Sequence, residues 1–361
     1  MIRFDFPSDF LWGAGSSSFQ VEGGADADGR GPSVWDIYSL RYPDRFYRAQ
    51  TPAIAVDFYH HYAEDVLLMR DLGLKTFRLS ISWSRVLPNG RGPVNEPGLA
   101  FYDRLIDLLL KHNIKPFVDL YHWDLPWALA EEGGFSNPRI VADFEQYACV
   151  YFERLGNRVS YWNTMNEPAA TSCFNPFAPE NDDPVQLRRG ELNILLMHFA
   201  AVQLYRAMNL PGKIGTVLAY VPYYSNSLSE ADQTATRLQT DFVLGRWLDP
   251  MLKGTYPQSL MSHPHLASVL SAALQEKIGA AFTLIDFMGL NYYTPTVIAN
   301  TPGAFLDSGG GEPFAAQQDY GFTIYPAGLY DSLQEFRARY GDIDIYNHRK
   351  RPSHGSGKTA R

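Results

Sequence analysis

One carboxylic acid stands out among the residues whose type and position could do chemistry. Glu167 follows an apolar stretch at residues 161–165 and is flanked by Asn166 and Pro168. A carboxyl group that follows a buried strand and lies among apolar side chains can hold a proton and donate it as a general acid. An Asn-Glu-Pro tripeptide alone is more often a hydrogen-bonded loop, so its interpretation depends on the residues that accompany it.

Donor groups and flat aromatic rings follow other apolar stretches of the chain. Gln20 follows residues 10–14, and His122 and Trp123 come directly after residues 115–120. Amide and imidazole groups hydrogen-bond to hydroxyl groups, and an indole ring packs against a flat apolar face. The combination favours a site that holds a sugar, although a single histidine is more often a buried structural residue.

Three further polar residues lie within or after apolar stretches. Arg78 lies inside residues 76–81, while Asn291 and Tyr293 follow residues 287–290. A buried guanidinium needs a carboxylate partner, so Arg78 either orients a catalytic carboxylate or forms a structural salt bridge. Tyr293 either donates a hydrogen bond to a catalytic carboxylate or packs in the core. The residue types leave both interpretations open.

Strand-like and helix-like patterns alternate along the chain without a domain break. The predicted strands are residues 10–14, 76–81, 115–120, 161–165, 213–218, 287–290 and 343–346. The predicted helices between them include residues 59–72, 99–111, 140–155, 192–208 and 231–248. This alternation predicts an α/β protein whose parallel sheet is covered by helices.

The position of the polar residues distinguishes an open sheet from a closed barrel. No glycine-rich nucleotide-binding motif opens a predicted helix, which disfavours an open doubly wound sheet. The polar clusters follow several different strands, where a (β/α)8 TIM barrel carries its active site. Seven strands are one short of closure, so we expect an incomplete barrel that forms a single catalytic domain over residues 1–346.

Composition excludes several classes of function. The net charge of −8 disfavours a nucleic-acid partner. No apolar stretch is long enough to span a membrane, and the N-terminus lacks the apolar core of a signal peptide. Two cysteines are too few for a disulfide framework. We therefore expect a cytoplasmic protein with a small-molecule partner, and the sequence makes no prediction about an oligomeric state.

Six of these segments together resemble glycoside hydrolase family 1. The matching segments are residues 10–14, 20–23, 77–83, 122–126, 164–168 and 286–293. They occur in the family's order, and the similarity extends over residues 4–346. The resemblance implies a retaining β-glucosidase on an eightfold α/β barrel, acting on small β-glucosides. It implies no metal and no organic cofactor, because the mechanism needs only two carboxylates and water.

The resemblance also implies a function for each candidate residue. Glu167 matches the family's catalytic acid/base. The residues that match the family's sugar-binding residues are Gln20, His122, Trp123 and Asn166, with Asn291 on the same rim. The residues that match those supporting the nucleophile are Arg78 and Tyr293.

The nucleophile itself is expected where the sequence departs from the family. Family members continue after the seventh strand with Ile-Thr-Glu-Asn-Gly, whereas residues 347–351 are Asn-His-Arg-Lys-Arg. The genetic code permits the codons AAT-CAC-CGA-AAA-CGG for this stretch, and removing the first base of this set gives ATC-ACC-GAA-AAC-GGC when the next base is C. Those codons spell the family motif, and Pro352 supplies the C. We hypothesise a frameshift after Tyr346.

This hypothesis makes residues 347–361 a disordered, out-of-frame tail. They contain five Lys or Arg, two His and no acidic residue. The chain is then a C-terminally truncated family member without a nucleophile, and we expect it to be inactive. Two alternatives remain open, a 6-phospho-β-glucosidase and a non-catalytic protein that binds sugars.

Overall fold

The computed structural model describes residues 6–169, 184–262, 272–301 and 322–347. Within these residues the strands are β1 (Gly13–Gly15), β2 (Thr76–Ser80), β3 (Lys115–Asp119), β4 (Tyr161–Asn166), β5 (Lys213–Tyr220), β6 (Tyr223–Ser225), β7 (Phe287–Tyr292), β8 (Thr296–Ile298) and β9 (Asp344–Asn347). Seven of them form one sheet in the order β1-β2-β3-β4-β5-β7-β9, and β6 pairs with β8 in a second sheet. The seven strands of the larger sheet are the seven that the sequence predicts.

The α-helices of the described residues occupy the segments between these strands. They are α1 (Ser18–Val21), α2 (Val34–Arg41), α3 (Phe58–Asp71), α4 (Trp83–Val86), α5 (Glu96–Lys111), α6 (Trp127–Glu131), α7 (Ile140–Leu155), α8 (Pro184–Ala207), α9 (Glu230–Thr240), α10 (Arg246–Lys253), α11 (Gln258–Met261), α12 (Ala272–Ala281) and α13 (Ala327–Tyr340). Helix α7 has the predicted bounds, and the ends of α3 and α5 lie within three residues of the predicted ones. Helix α8 begins eight residues before the helix predicted at residues 192–208.

The chain divides into two compact units. Among the described residues, the first unit consists of 6–166 and 184–216, and the second of 167–169, 217–262, 272–301 and 322–347. Strand β5 therefore begins in the first unit and ends in the second. The prediction of one domain over residues 1–346 stays a prediction.

Two features of the second unit escape the sequence analysis. Strands β6 and β8 have three residues each, and three residues are too few to show an alternating pattern. The predicted helix at residues 231–248 is interrupted by a π-helical turn, Asp241–Gly245, which separates α9 from α10. A single π-helical turn is a short interruption between two α-helices, so residues 231–248 read as one helical segment in the sequence.

Burial explains why the parallel strands read as continuous apolar stretches. All six residues of β7 are buried, as are five of the six in β4. Strands covered on both faces carry apolar residues at successive positions instead of alternating ones. Helix α5 instead shows the period of an α-helix. Its buried residues recur every three or four positions and include Tyr102, Leu105, Ile106 and Leu109.

A buried aromatic group fixes the ends of two strands in the first unit. Trp83 and Tyr147 stack with their ring centroids 4.8 Å apart. The Tyr147 hydroxyl lies 3.1 Å from the Ile81 carbonyl and 2.8 Å from the Leu120 carbonyl, the residues that follow β2 and β3. These contacts hold the segments from which the loops of the candidate site depart.

A buried ion pair joins the segment after α1 to helices α4 and α5. Arg85 of α4 donates from Nε to Oε2 of Glu22, 3.2 Å away, and its side chain is fully buried. The Tyr102 hydroxyl donates to the other Glu22 oxygen at 2.7 Å. Arg85 also donates to the carbonyls of Gly23 and Gly24. The pair thus fixes the segment after α1 against α4 and α5.

We predict that Glu22→Gln lowers the free energy of unfolding by about 3–5 kcal/mol, because it leaves the buried Arg85 guanidinium without its counter-ion. Urea unfolding at pH 7 measures the change. Asp342→Asn is the matched control, since Asp342 pairs with Arg337 at 2.8 Å while both side chains are mostly exposed. Equal shifts of the urea midpoint in the two variants would contradict the prediction.

Candidate active site

The centre of the site in the first unit is the fully buried carboxylate of Asp119, the last residue of β3. Arg78 of β2 donates to both of its oxygens, from Nε at 3.0 Å and from Nη2 at 2.6 Å. Asn163 of β4 donates to Oδ1 at 2.9 Å, and His122 Nδ1 lies 3.3 Å from Oδ2. Register explains the convergence, because Asp119 is paired with Ser80 on one side and with Asn163 on the other.

These donors keep Asp119 ionised despite its burial. Burial alone would raise the pKa of the carboxyl group, but the charge of Arg78 and the hydrogen bonds from His122 and Arg78 oppose this effect. The net result is a pKa below the usual value. A buried carboxylate is therefore matched by a buried guanidinium, which is the structural salt bridge that the sequence left as one of two interpretations for Arg78.

Asn166 extends this network from the end of β4. Its Oδ1 accepts a hydrogen bond from Arg78 Nη2 at 2.6 Å, and its Nδ2 lies 3.1 Å from His122 Nε2. With His122 Nδ1 donating to Asp119, Nε2 of the neutral imidazole is the acceptor for the Asn166 amide. Arg78, Asn166, His122 and Asp119 thus form a closed ring of contacts, with each side chain oriented by two neighbours.

Trp123 is attached to the same network through its indole group. The indole Nε1 donates to the Asn166 carbonyl at 2.9 Å, and the ring meets the His122 ring edge-on with centroids 5.4 Å apart. The backbone of Trp123 has φ +76°, a left-handed conformation that is rare for a bulky residue. Such strain persists where surrounding contacts impose it, and it clusters at functional sites.

Gln20 lies on α1, and its side chain is exposed. The helix is attached to the loop after β3 through Ser18, whose hydroxyl donates to Asp124 Oδ2 at 2.8 Å. The Ser18 amide donates to the Ser80 hydroxyl at 2.7 Å. The first unit therefore carries four of the predicted sugar-binding residues in one connected part of its structure.

The candidate acid belongs to the second unit and directly follows Asn166 in the chain. Glu167 has φ +48° and is buried, and its amide donates to the Val217 carbonyl at 2.7 Å. The Tyr293 hydroxyl donates to Glu167 Oε1 at 3.0 Å, and Asn291 Nδ2 donates to the same oxygen. A carboxyl group held at one oxygen can carry its proton on the other, as a general acid must.

The Tyr293 hydroxyl donates to a carboxylate and does not merely pack in the core. The carboxylate is Glu167. Whether Tyr293 and Arg78 also support a nucleophile stays a prediction, because residues 348–361 lie outside the described residues.

Two functional candidates were missed by the sequence analysis. Asp119 lies inside the predicted strand at residues 115–120, and Asp124 lies in the segment 122–126 that resembles the family, but the sequence analysis assigns a function to neither. The sequence signal that could have identified them is a carboxylate at or just after the end of an apolar strand. Both side chains are completely buried, and a buried carboxylate requires partners from other parts of the chain.

No described group of three or more His, Cys, Asp or Glu side chains is arranged to hold a metal ion. Among the helices that the structure describes, none is both long enough and apolar enough to cross a membrane.

Comparison with known proteins identifies the family. The sequence profile of glycosyl hydrolase family 1 matches residues 2–349, almost the whole chain. The chain belongs to glycosyl hydrolase family 1. Membership makes it an enzyme by family, and it confirms the resemblance found in the sequence.

Individual relatives show the same relationship. A chloroplastic beta-D-glucosidase of Triticum aestivum, named for a benzoxazin-2-yl glucoside, is 37% identical over 94% of this chain and 67% of its own length. A 6-phospho-beta-glucosidase of Bacillus subtilis is 34% identical, over 95% of this chain and 77% of its own length. The chain thus spans about two thirds to three quarters of the length of these relatives.

The solved structure of a family 1 β-glucosidase from Thermotoga maritima superimposes with a TM-score of 0.88. It is 36% identical, and the match covers 95% of this chain and 78% of that one. The likeness confirms the predicted α/β fold class of the TIM-barrel glycoside hydrolases, with seven strands in the main sheet of the described residues.

We predict that Asp119→Asn destabilises the protein by about 3–5 kcal/mol at pH 7, because it leaves the Arg78 charge buried and unpaired. The lowered pKa of Asp119 means that its carboxylate stabilises the fold above the unfolded value of 3.8 and loses this effect as the pH falls further. Urea unfolding at several pH values tests both parts. The difference between wild type and variant should shrink below pH 4, and a constant difference would contradict the assignment.

Proposed function

We propose that the chain derives from an enzyme that hydrolyses small β-glucosides with retention of anomeric configuration, and that Glu167 is its acid/base. The observation that carries this proposal is the buried Glu167 carboxyl group, held at Oε1 by Asn291 and Tyr293 at the end of β4. Family membership and the relatives that are β-glucosidases support it.

In this proposal Glu167 acts twice. It first donates its proton to the oxygen of the departing group while a second carboxylate attacks the anomeric carbon and forms a glycosyl-enzyme. It then removes a proton from the water that hydrolyses this intermediate. The Asn291 amide and the Tyr293 phenol orient the carboxyl group through Oε1.

Most of the proposed sugar-binding residues belong to the first unit. The proposed sugar-binding residues are Gln20, His122, Trp123 and Asn166, together with Asn291 of the second unit. The ring of contacts around Asp119 orients the His122 imidazole and the Asn166 amide before a ligand arrives, which lowers the entropy cost of binding. Arg78 is proposed to support the nucleophile, as the family resemblance implies.

We further propose that this chain lacks the nucleophile and does not turn over. Residues 347–361 contain no Asp or Glu, and the family motif with its glutamate is expected to begin at residue 347. A retaining mechanism without a second carboxylate cannot form the glycosyl-enzyme.

A 6-phospho-β-glucosidase is the second candidate, favoured by the 34% identity to the Bacillus subtilis enzyme of that name. The two functions differ in whether the sugar carries a phosphate group. A panel of free and 6-phosphorylated 4-nitrophenyl β-glucosides separates them once turnover is restored.

We predict that the chain hydrolyses 4-nitrophenyl β-glucoside roughly 10⁴- to 10⁶-fold more slowly than a chain whose reading frame is restored after Tyr346. Release of 4-nitrophenol measures both rates. Equal rates would refute the loss of the nucleophile, and an inactive restored chain would refute the assigned activity. Sequencing the gene across the Tyr346 codon tests the frameshift itself.

Azide supplies a control for the intact part of the site. This small anion can attack the anomeric carbon in place of the missing carboxylate, and displacement at the opposite face of the sugar gives α-glucosyl azide. We expect this product from the chain as it stands, with 2,4-dinitrophenyl β-glucoside as donor. Its absence would indicate that the proposed sugar site does not form in this chain.

We predict that Glu167→Gln in the frame-restored chain shows a strong dependence on the leaving group. Formation of the glycosyl-enzyme from phenyl β-glucoside should slow by about 10²- to 10⁴-fold, because phenolate is a poor leaving group that needs the proton. The same step with 2,4-dinitrophenyl β-glucoside should change little, because dinitrophenolate leaves unaided. Burst kinetics measure this step, and an equal loss with both substrates would contradict the acid assignment.

A further inference from the structure

Asp124 is a buried carboxyl group that the proposed reaction does not use. It is completely buried in the loop after β3, and its Oδ2 accepts a hydrogen bond from Ser18 Oγ at 2.8 Å. Its Oδ1 is buried and has no hydrogen-bond partner among the described residues. A buried carboxylate with one unsatisfied oxygen is costly, so the group is poorly matched to its surroundings as an anion.

The Ser18–Asp124 hydrogen bond joins two segments that carry proposed sugar-binding residues. Ser18 begins α1 and lies two positions before Gln20, while Asp124 directly follows Trp123. The joint is reinforced at β2, because the Ser18 amide donates to Ser80 Oγ at 2.7 Å and the Ser80 hydroxyl lies 3.1 Å from Ser18 Oγ. Side-chain contacts thus link α1, the end of β2 and the loop after β3.

Trp123 depends on such contacts because its backbone is strained. A tryptophan at φ +76° stays there only if its neighbours hold it on both sides. The hydrogen bond from the Trp123 indole to the Asn166 carbonyl provides one restraint. On the C-terminal side of Trp123, the Asp124 side chain provides a second restraint. The Leu125 carbonyl, which accepts from the Val34 amide at 2.8 Å, provides a third.

The groups that act on Asp124 come from four elements. They are Glu22 after α1, Arg30 before α2, Tyr121 after β3 and Tyr147 of α7. Burial raises the pKa of Asp124 to about 7. The Ser18 hydrogen bond, Arg30 and the backbone amide of Asp124 itself act against burial, and Glu22 acts with it. Both tyrosines have pKa values well above 10 through burial, and Arg30 is paired with Asp36 at 2.8 Å.

We propose that Asp124 is a positioning residue that couples the Gln20 segment to the loop of His122 and Trp123, and that this coupling depends on whether its carboxyl group carries a proton. The inference rests on the proposed sugar-binding function of those residues. With the proton, the neutral group stays buried against Ser18 and both segments keep their places. Without it, the unsatisfied anion draws water or Arg30 toward Oδ1, and the loop moves relative to α1.

The first test measures sugar binding against pH. Methyl β-glucoside has no titrating group, and calorimetry between pH 5.5 and 8.5 gives its dissociation constant for the full chain. We expect the affinity for the glucoside to fall about tenfold as the pH rises through neutrality. This is the change produced when the bound ligand raises the midpoint of the Asp124 titration by one pH unit. Asp124→Asn cannot titrate, so its affinity should be independent of pH over this range. A wild-type pH profile in Asp124→Asn would overturn the proposal.

The second test follows Trp123 without any ligand. Labelling with ¹⁵N-tryptophan gives one indole signal for each of the 7 tryptophans, and Trp123→Phe identifies the signal of Trp123 by its loss. We expect this signal to titrate near neutral pH in the wild type and to remain fixed in Asp124→Asn. Titration that persists in Asp124→Asn would contradict the coupling.

Ser18→Ala keeps the tests decisive if Asp124→Asn does not fold. The Ser18 hydrogen bond lowers the pKa of Asp124, so its removal should move the Trp123 midpoint to higher pH, whereas a Ser18 contact that only fills space would leave the midpoint unchanged. Ser18→Thr keeps the hydroxyl group and should restore the wild-type midpoint. An unchanged midpoint in Ser18→Ala overturns the proposal.

The two measurements separate the inference from the function on which it rests. If the Trp123 signal titrates through Asp124 but methyl β-glucoside does not bind at any pH, the coupling stands and the proposed sugar site fails. If the glucoside binds with an affinity that does not change with pH, the sugar site stands and the coupling is refuted.

Discussion

Asp119 holds a negative charge in a completely buried position because donors from β2, β4 and the loop after β3 converge on its two oxygens. Arg78 supplies the compensating charge and extends it to Asn166. Removing any of these groups would leave another buried polar group without its partner, which costs more than the contact itself contributes. The candidate sugar-binding side chains His122 and Asn166 are oriented by this requirement before any ligand is present.

Of the nine described residues other than glycine that have positive φ, two have a proposed function. Trp123 and Glu167 both have positive φ values, although neither residue favours that conformation. Each is held by hydrogen bonds of its own unit, Trp123 through its indole group and Glu167 through its amide and carboxyl groups. Their positions after β3 and β4 agree with the general location of active sites at the carboxyl ends of parallel strands.

Buried ionisable groups outside the central ring act in different ways. The Arg85–Glu22 pair is balanced in charge and stabilises the packing of the segment after α1. Asp124 is not balanced, since one of its oxygens lacks a partner and burial raises its pKa to about 7. A group of this kind changes its charge near neutral pH, so it links the position of its loop to the pH in a way that the Arg85–Glu22 pair cannot.

The sequence by itself determined the alternation of strands and helices, the family, and the candidate residues at the strand ends. These features are local or ordered along the chain, because burial on both faces makes each strand a continuous apolar stretch and the family's motifs are short. Only the tertiary structure decided that Arg78 pairs with Asp119, that Tyr293 donates to Glu167, and that Ser18 meets Asp124. Those partners lie 41, 126 and 106 residues apart in the chain. The contacts between them depend on the register of neighbouring strands and on the requirement that buried polar groups be hydrogen-bonded. Neither constraint produces a local pattern in the sequence.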